Sequence, residues 1–420
     1  MTTRAVIVGL GYVGLPLARE AALAGLHVTG LDVNQKVVDS LNSGKSHIDD
    51  LSEADIAEMM SHGFTATSDA AVLRDADVAV ICVPTPLSDE GGPDLTAVIG
   101  ASTMIANQVH EGMLVILEST TYPGTTDEIV RPLLEASGLH AGTDFNLAFS
   151  PERIDPGNPT FGAKNTPKVV GGHTPNCTDR AANFYGQFVD STVRTRGTRE
   201  AEMAKLLENT YRHVNIALVN EMARFCHDLD IDLWDVINAA KSKPFGFQAF
   251  YPGPGVGGHC IPIDPNYLSH NVEARLGYPF RFVELAQEIN SRMPAYVVER
   301  AQDLLNEQER ALKGSTVLLL GVTYKPNIAD QRESPATDVA EKLLAKGAIV
   351  QFHDPFVEDW TTVPAAQRVD SAETAAASAD LVILLQNHRS YNIECIAQAS
   401  RSFFDTRGSV SKDGVNVSRL

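Results

Sequence analysis

Short runs rich in β-forming apolar residues, Arg4–Val8, Val28–Asp32, Val78–Val83, Leu114–Glu118 and Asn146–Phe149, occur in the first part of the chain. Helical stretches such as Leu15–Ala24 and Gln35–Asn42 lie between them. Apolar strands alternating with helices indicate a parallel sheet covered on both faces. A similar series returns near the C-terminus: Thr316–Gly321, Ala348–Asp354, Leu381–Leu385 and Ser402–Asp405, with a helix-like Thr337–Lys346 between the first two. The pattern predicts an α/β protein with a doubly wound unit at each end. Between the units no Gly or Pro occurs from Thr198 to Lys243, and Met203, Leu207, Val214, Leu218, Met222 and Phe225 recur at helical spacing. A long amphipathic helix is expected there, its apolar stripe packed either within the chain or against a second copy. The Pro/Gly-rich stretch Pro244–Pro265 then interrupts the helices, and a loop of that kind in a helical region is often functional.

The first turn of the first unit carries chemistry. Gly9-Leu10-Gly11-Tyr12-Val13-Gly14 follows a strand and opens a helix, and Asp32 ends the next strand about 20 residues on, as a dinucleotide-binding, Rossmann-like fold requires. The first glycine permits the tight turn, the second lets backbone approach a pyrophosphate and the third packs helix on strand. Asp32 accepts from a ribose hydroxyl. The second unit lacks the pattern, because Gly321 is followed by Val322-Thr323-Tyr324-Lys325-Pro326. Lys325 and Arg332 lie there beyond a strand's carboxyl end, where an open α/β sheet offers a ligand crevice. They are either ligand contacts or a surface lysine and a salt-bridged arginine.

Composition narrows the partners. The 53 acidic residues against 34 basic ones give a net charge of −19, which repels nucleic-acid backbones and anionic lipid surfaces. Among 420 residues no apolar run approaches the roughly 20 that a membrane-spanning helix needs. Ala5–Ala18, which could pass for the apolar core of a secretory leader, is expected to be structure instead, since Gly9, Gly11 and Gly14 interrupt it and Arg19-Glu20 closes it. Five cysteines without a C-x-x-C pair suit neither a disulfide framework nor a zinc cluster, so no metal is expected and a reducing cytoplasm fits best.

Cys260 differs from the other cysteines in its setting, Gly255-Val256-Gly257-Gly258-His259-Cys260, where missing side chains let a substrate reach the sulfur. It is either a nucleophile or a small structural residue of a tight loop. His259 beside it shapes the loop. Cys82 suits strand packing and Cys226 a helix face. Lys205 and Asn209, one helical turn apart, form either a cation and amide for an oxyanion or part of a solvated face. Thr120 and Glu152, just after strands, fall on the carboxyl side of the first sheet, where the nicotinamide end of a cofactor sits.

Taken together, these residues resemble the UDP-glucose/GDP-mannose dehydrogenase family from about residue 4 to about residue 410. The resemblance rests on Ser119-Thr120, Ser150-Pro151-Glu152, Lys205 with Asn209, Gly257-Gly258-His259-Cys260 with Asp264, and Lys325 with Arg332-Glu333-Ser334-Pro335. It implies an NAD-binding domain over residues 1–197, a central helical dimerisation domain over 198–312 and a UDP-sugar-binding Rossmann-like domain over 313–420. It implies also that Cys260 attacks the aldehyde left by a first oxidation, giving a thiohemiacetal and then a thioester. Glu152 becomes the base toward water, Lys205 and Asn209 the oxyanion partners, and Thr120 and Asp264 the groups that place water. Tyr12, Val13, Thr85 and Thr120 join the glycines and Asp32 in the expected cofactor set. Arg212, Tyr251, Gly257, Lys325 and Arg332 join Glu152, Lys205 and Asn209 in the expected substrate set.

The UDP-glucose branch commonly has a second glutamate four residues after the first and a lysine before the aspartate. Here those places are Pro156 and Ile263. Glu118–Thr125, Ser150–Asn158, Pro244–Phe247 and Tyr251–Pro265 are instead similar to UDP-N-acetylglucosamine 6-dehydrogenases. The expected substrate is UDP-N-acetylglucosamine, with UDP-N-acetylmannosamine and UDP-glucose as alternatives, and Arg212 is a candidate donor to the acetamido group. Two further readings are a two-electron hydroxyacid dehydrogenase, which needs no thiol, and a noncatalytic nucleotide-binding scaffold, which has no use for Glu152, Lys205 and Cys260 together.

Overall fold

The computed structural model describes residues 2–48, 51–86, 92–153, 158, 160–258, 261, 263–411 and 416–420. Contacts group the chain into two compact units. One takes Met1–Glu208 with Asn266–Gly277, the other Asn209–Pro265 with Tyr278–Leu420, so the residues of the expected central domain are shared between them.

In the first unit the strands are β1 (Arg4–Val8), β2 (His27–Leu31), β3 (Thr65–Thr67), β4 (Val78–Ile81), β5 (Leu114–Leu117), β6 (Asn146–Phe149), β7 (Lys168–Gly172) and β8 (Thr192–Arg194). They form one sheet ordered β3-β2-β1-β4-β5-β6-β7-β8, in which β7 alone runs antiparallel to its neighbour β6. Ala5 and Ile7 enter one core with Val28, Val80 and Leu15, while Val6 and Val8 enter a second with Val115, Leu117 and Val98. That alternation is the period of two of a strand covered on both faces.

The second unit holds β9 (Thr316–Leu320), β10 (Ile349–His353), β11 (Gln367–Arg368), β12 (Leu381–Leu384), β13 (Phe403–Asp405) and β14 (Val417–Arg419). Its order β11-β10-β9-β12-β13-β14 is parallel throughout and repeats the winding of β1 to β6. In such a sheet the crossovers leave to opposite sides of the central strand, which opens a crevice at the carboxyl ends.

The region free of Gly and Pro is two helices rather than one. The first, Thr198–Asp228, stops although neither helix breaker is present. Asp230 takes a left-handed φ of 56°, and the Ile231 N–H turns back to the Cys226 carbonyl at 2.8 Å. Aspartate tolerates that conformation better than most residues. The Asp232 side chain then caps the second helix, Leu233–Lys241, by accepting from Trp234 N at 3.0 Å. On the first helix Leu207, Tyr211, Leu218 and Phe225 are exposed.

The glycines of the first turn differ in what surrounds them, which separates stability from binding. A Cβ on Gly14 would lie 1.9 Å from the Gly9 carbonyl oxygen, whereas one on Gly11 would meet nothing within 4 Å. Gly14→Ala is therefore expected to lower the melting temperature by about 5 °C or more, from an overpacking cost of roughly 2 kcal/mol. Gly11→Ala should stay within about 1 °C of wild type in the same calorimetric scan, because no packed atom opposes the methyl group. Equal shifts for the two variants would contradict this division.

Candidate active site

At the end of β1 the chain turns through Gly9 at φ 92°, where any Cβ would press on the Cys82 carbonyl oxygen at 2.8 Å. The helix Gly14–Leu23 follows, and its N-cap Val13 makes no side-chain cap bond. The positive end of the helix thus faces the carboxyl edge of the sheet without a competing anion from its own cap. Asp32 sits beside it, Oδ2 accepting from Leu10 N at 2.9 Å and Oδ1 from Asn34 N at 2.8 Å. A carboxylate oxygen has a second lone-pair site, so Asp32 keeps acceptor capacity for a ribose hydroxyl. Tyr12 is exposed at the turn, and Val13 packs on the core. The empty space at Gly11, the tight contacts at Gly9 and Gly14 and the available acid together fit a dinucleotide.

Two strands further along the sheet, the Thr85 hydroxyl donates to the Thr120 carbonyl at 2.7 Å, and the Tyr267 hydroxyl donates to the Thr85 carbonyl. Ser119, buried beside them, donates to the Val83 carbonyl at 2.7 Å. The structure therefore joins the expected Thr85 and Thr120. It adds Tyr267, which no sequence motif had marked.

Glu152 and Lys205 are both buried, 8 % and 6 % exposed, with Nζ 3.4 Å from Oε2. The adjacent Arg153 makes a bidentate pair with Glu208 at 2.7 and 3.1 Å. Two successive residues after β6 are thus tied to two positions on one helix, separated by about one turn, which fixes the Glu152 backbone against it. Beneath them Glu118 is buried between Lys168 Nζ and the Tyr185 hydroxyl, which donates at 2.8 Å. Burial, with the negative charges of Glu118 and Glu152, pushes the Cys82 thiol well above its usual range. Cys82 is a packing residue, as its strand position suggests, and Cys226 is likewise buried.

In the second unit Asn209 donates from Nδ2 to Asp264 Oδ2 at 2.6 Å, and both residues are buried. The loop that leads to Cys260 is seated on the segment that follows β9. A Cβ on Gly257 would meet the Glu333 carbonyl at 2.5 Å, and one on Gly258 would strike the Tyr324 ring at 2.8 Å. The Gly253 N–H donates to Asn220 Oδ1 at 3.0 Å. Asn220 in turn donates to Asn290 at 2.9 Å, and Asn290 reaches His213, which burial holds neutral by lowering its pKa to about 4. A cavity of about 350 Å³ lies against this loop, lined by Val256, His213, Asn290, Ser334 and Pro335 among others. Cys260 and His259 themselves lie outside the described residues, as does Pro156.

Of the remaining expected residues, Tyr251 stacks on Trp234, ring centroids 5.6 Å apart, and Arg212 is exposed on the long helix. Arg332 forms a bidentate pair with Asp330 at 2.7 and 2.9 Å, so its fork is already engaged by a carboxylate. Lys325 is partly buried, and its carbonyl accepts from Thr323 at 2.9 Å. Sequence reasoning missed Arg407, in Asp405-Thr406-Arg407-Gly408 just past β13. Its Nε donates to the Leu385 carbonyl at 2.6 Å, and one guanidinium nitrogen lies 2.9 Å from where a Gly253 Cβ would stand. Burial lowers its pKa only to about 10, so it remains a cation at neutral pH. Its position beyond a strand's carboxyl end was the signal available.

The second sheet repeats part of the first one's turn. Gly321 has φ 74°, Val322 N donates to Asp354 Oδ2 at 2.7 Å and Phe356 N to Oδ1 at 2.8 Å, as Leu10 and Asn34 do to Asp32. Asp354, however, is fully buried and also pairs with buried His388 at 3.0 Å. It is closed to a ribose, consistent with a unit that lacks the second and third glycines. Among the described residues no cluster of three or more His, Cys, Asp or Glu could hold a metal, and no helix is long and apolar enough to cross a membrane.

Comparison with known proteins matches three domains of one family, the UDP-glucose/GDP-mannose dehydrogenases. The NAD binding domain matches residues 3–189, the central domain 199–292 and the UDP binding domain 318–417. The chain is 34% identical over 416 residues to the NDP-N-acetyl-D-galactosaminuronic acid dehydrogenase of Ralstonia nicotianae, covering 96% of this chain and 95% of the relative. It is 37% identical over 354 residues to the UDP-N-acetyl-D-glucosamine 6-dehydrogenase of Pseudomonas aeruginosa, covering 84% and 82%. The solved UDP-D-ManNAc dehydrogenase of Pyrococcus horikoshii superposes with a TM-score of 0.89 at 33% identity, covering 99% of this chain and 98% of that one.

The position of Asp32 sets an expectation for the cofactor. A 2′-phosphate would meet its carboxylate, and Val33-Asn34-Gln35 offers no arginine to offset the repulsion. NAD should exceed NADP in kcat/KM by about 100-fold, the scale of a like-charge clash of several kcal/mol. Comparable values for the two cofactors would remove Asp32 from this role.

Proposed function

This chain belongs to the UDP-glucose/GDP-mannose dehydrogenase family, whose members are NAD-dependent UDP-sugar dehydrogenases, and we propose that it oxidises the 6-hydroxyl of a UDP-N-acetylhexosamine to the carboxylate in two successive oxidations. The observation that carries the chemistry is the buried Glu152–Lys205 pair at 3.4 Å. Burying two charges opposes folding unless their geometry compensates, so such a pair at the carboxyl edge of a dinucleotide sheet marks a working site better than a structural one.

The Gly9–Gly14 turn and Asp32, with Thr85 and Thr120 alongside, would hold NAD, which when bound would supply the hydride acceptor, one NAD for each oxidation. The protein's own residues do the rest. In the first step the substrate hydroxyl loses its proton toward water ordered by Thr120 and Asp264. The Cys260 thiolate then adds to the aldehyde carbon, and the ammonium of Lys205 and the amide of Asn209 neutralise the resulting oxyanion. Loss of the second hydride leaves a thioester. Glu152 takes a proton from water, which attacks the acyl carbon and releases the thiolate and the carboxylate product. Lys325 and Arg332 contact the phosphate or ribose groups, Arg332 exchanging Asp330 for the ligand, and Arg212, Tyr251 and Gly257 complete the substrate set.

UDP-N-acetylglucosamine is the leading substrate. Ser150–Asn158 and Tyr251–Pro265 match that branch, Ile263 stands where UDP-glucose enzymes commonly have lysine, and the relatives above act on N-acetylated or related amino sugars by name. UDP-N-acetylmannosamine is the runner-up. The five cysteines without a C-x-x-C pair support a reducing, cytoplasmic setting. A homodimer through the central helix is supported by its apolar stripe, in which Leu207 is 61% and Leu218 54% exposed on the single chain.

With NAD and a panel of UDP-glucose, UDP-N-acetylglucosamine, UDP-N-acetylmannosamine and GDP-mannose, UDP-N-acetylglucosamine should give the highest kcat/KM. A clear preference for UDP-glucose would defeat the substrate proposal. Each sugar consumed should yield two NADH and one carboxylate without free aldehyde. Cys260→Ala should cut carboxylate formation by about 1000-fold or more while NAD still binds. One NADH per sugar, or near-normal carboxylate from that variant, would favour the hydroxyacid-dehydrogenase reading. Light scattering at micromolar concentration should report a dimer mass that Leu218→Glu shifts toward the monomer, and a monomeric wild type would refute the assembly.

A further inference from the structure

One buried acid in the first unit is unused by the chemistry above. Glu202, on the helix Thr198–Asp228 and 1 % exposed, reaches a turn far away in sequence. Its Oε2 accepts from Gly124 N at 2.6 Å, and its Oε1 accepts from both Thr126 N at 2.9 Å and Thr126 Oγ1 at 2.7 Å. The turn itself is internally fixed, the Thr125 hydroxyl donating to the Tyr122 carbonyl at 2.8 Å, and Gly124 has φ 106°. It leads into a π-helical segment, Thr126–Val130, an uncommon geometry that recurs at functional positions. Upstream the same chain is Ser119-Thr120-Thr121, with the Thr120 carbonyl held by Thr85. Downstream of Glu202, Lys205 follows after three residues on the same helix.

We propose that Glu202 is a positioning residue for the oxidation, a clamp that sets the Thr120 loop in register with the helix that presents Lys205. This rests on the reading of Thr120 and Lys205 as site residues. The helix and the turn are joined at the surface as well. Asp127 accepts from the Thr198 hydroxyl at 2.8 Å and pairs with His173 at 2.9 Å, while Glu128 pairs with Arg199 at 2.8 Å and with Arg275. Those contacts are partly open to water and screened, whereas the Glu202 bonds are enclosed, so they dominate the register.

The clamp is also responsive. Burial, helped by the charge of Asp127, pushes the Glu202 carboxyl up to about 7 against the pull of its three donors. Asp127 and Tyr122 of the turn and π segment act on it directly, Glu128, Arg199, His173 and Arg275 are paired around that segment, and Lys205 lies about one turn further along its own helix. As pH rises through about 7 the carboxylate becomes fully charged and its bonds charge-assisted, roughly twice as strong as neutral ones. Each bond is then stronger in the closed turn, but because burial disfavours the charge there, opening of the turn into water becomes easier as pH rises. Global stability moves the same way, because a folded pKa above the unfolded value contributes stability below the unfolded value that is lost on passing about 7.

The test compares wild type with Glu202→Gln, which has one acceptor oxygen and no charge at any pH. Around pH 8.5 the variant should lose about tenfold in kcat with the KM for NAD within about twofold, and near pH 6 the two should converge. Hydrogen exchange of residues 122–130 in the wild-type protein, corrected for intrinsic rates, should quicken between those pH values while residues 403–411 do not change. Parallel pH profiles for the two proteins, or pH-independent exchange at 122–130, would overturn the clamp. If the variant does not fold, the wild-type exchange measurement decides. Lys205→Ala with undiminished turnover would instead refute the site reading, and the exchange result would still judge the clamp on its own.

Discussion

The constraint on which both units depend is the closeness of backbone to backbone where the central strand of each parallel sheet ends. At Gly9 a side chain would press on the Cys82 carbonyl at 2.8 Å, and at Gly321 on the Gln386 carbonyl at 2.2 Å. Each glycine has positive φ, so the position excludes a Cβ both by contact and by conformation. With the chain turned there, the following residue's N–H is aimed at the acid that ends the next strand, Asp32 in one sheet and Asp354 in the other. The crevice is thus built twice from the same local geometry. What differs is what fills it: Gly11 leaves open space in the first unit, whereas Asp354 is enclosed by His388 in the second.

From that edge outward the candidate site residues are held by polar groups taken out of water. Glu152 with Lys205, Asn209 with Asp264 and Glu118 with Lys168 are all buried, and each satisfies the other's bonding demand. Removing one partner would leave an uncompensated buried group, which costs several times more than the pair contributes. Such arrangements rigidify their surroundings. Positioning the loop toward Cys260 follows the same logic with neutral groups, since Asn220 and Asn290 carry the Gly253 N–H into the interior. The glycines of that loop have a second reason to lack side chains, because Tyr324, Glu333 and Pro335 occupy the space a Cβ would need.

Much of the architecture was legible because its signals are local. β1 and β6 and the helix Gln35–Asn42 stand where apolar patterning places them, and the turn from Gly9 to Gly14 has the contacts its glycines imply. The strands that patterning did not reveal are β3, β7, β8, β11 and β14. β3, β8, β11 and β14 are too short for a period of two to register, and β7 is as long as β1 but ends in Gly171 and Gly172, which carry no side chain to mark a face. The break after Asp228 was hidden for another reason. Two aspartates, Asp230 and Asp232, do the work usually marked by glycine or proline.

The sequence by itself determined the doubly wound winding at both ends, the dinucleotide turn with its acid, and the family to which the catalytic candidates belong. These depend on residue type and on spacings of a few to about 20 positions, which local stereochemistry converts directly into strands, turns and helix faces. Tertiary structure alone decided that Glu202 reaches Gly124 and Thr126, 78 and 76 residues away, that Asn220 holds Gly253, and that Arg332 is engaged by Asp330 while Arg407 lies against the glycine loop. The longest of these pairings have no period in the chain. A buried polar group must find a partner, but which distant partner it finds is set by how the helices and sheet edges pack.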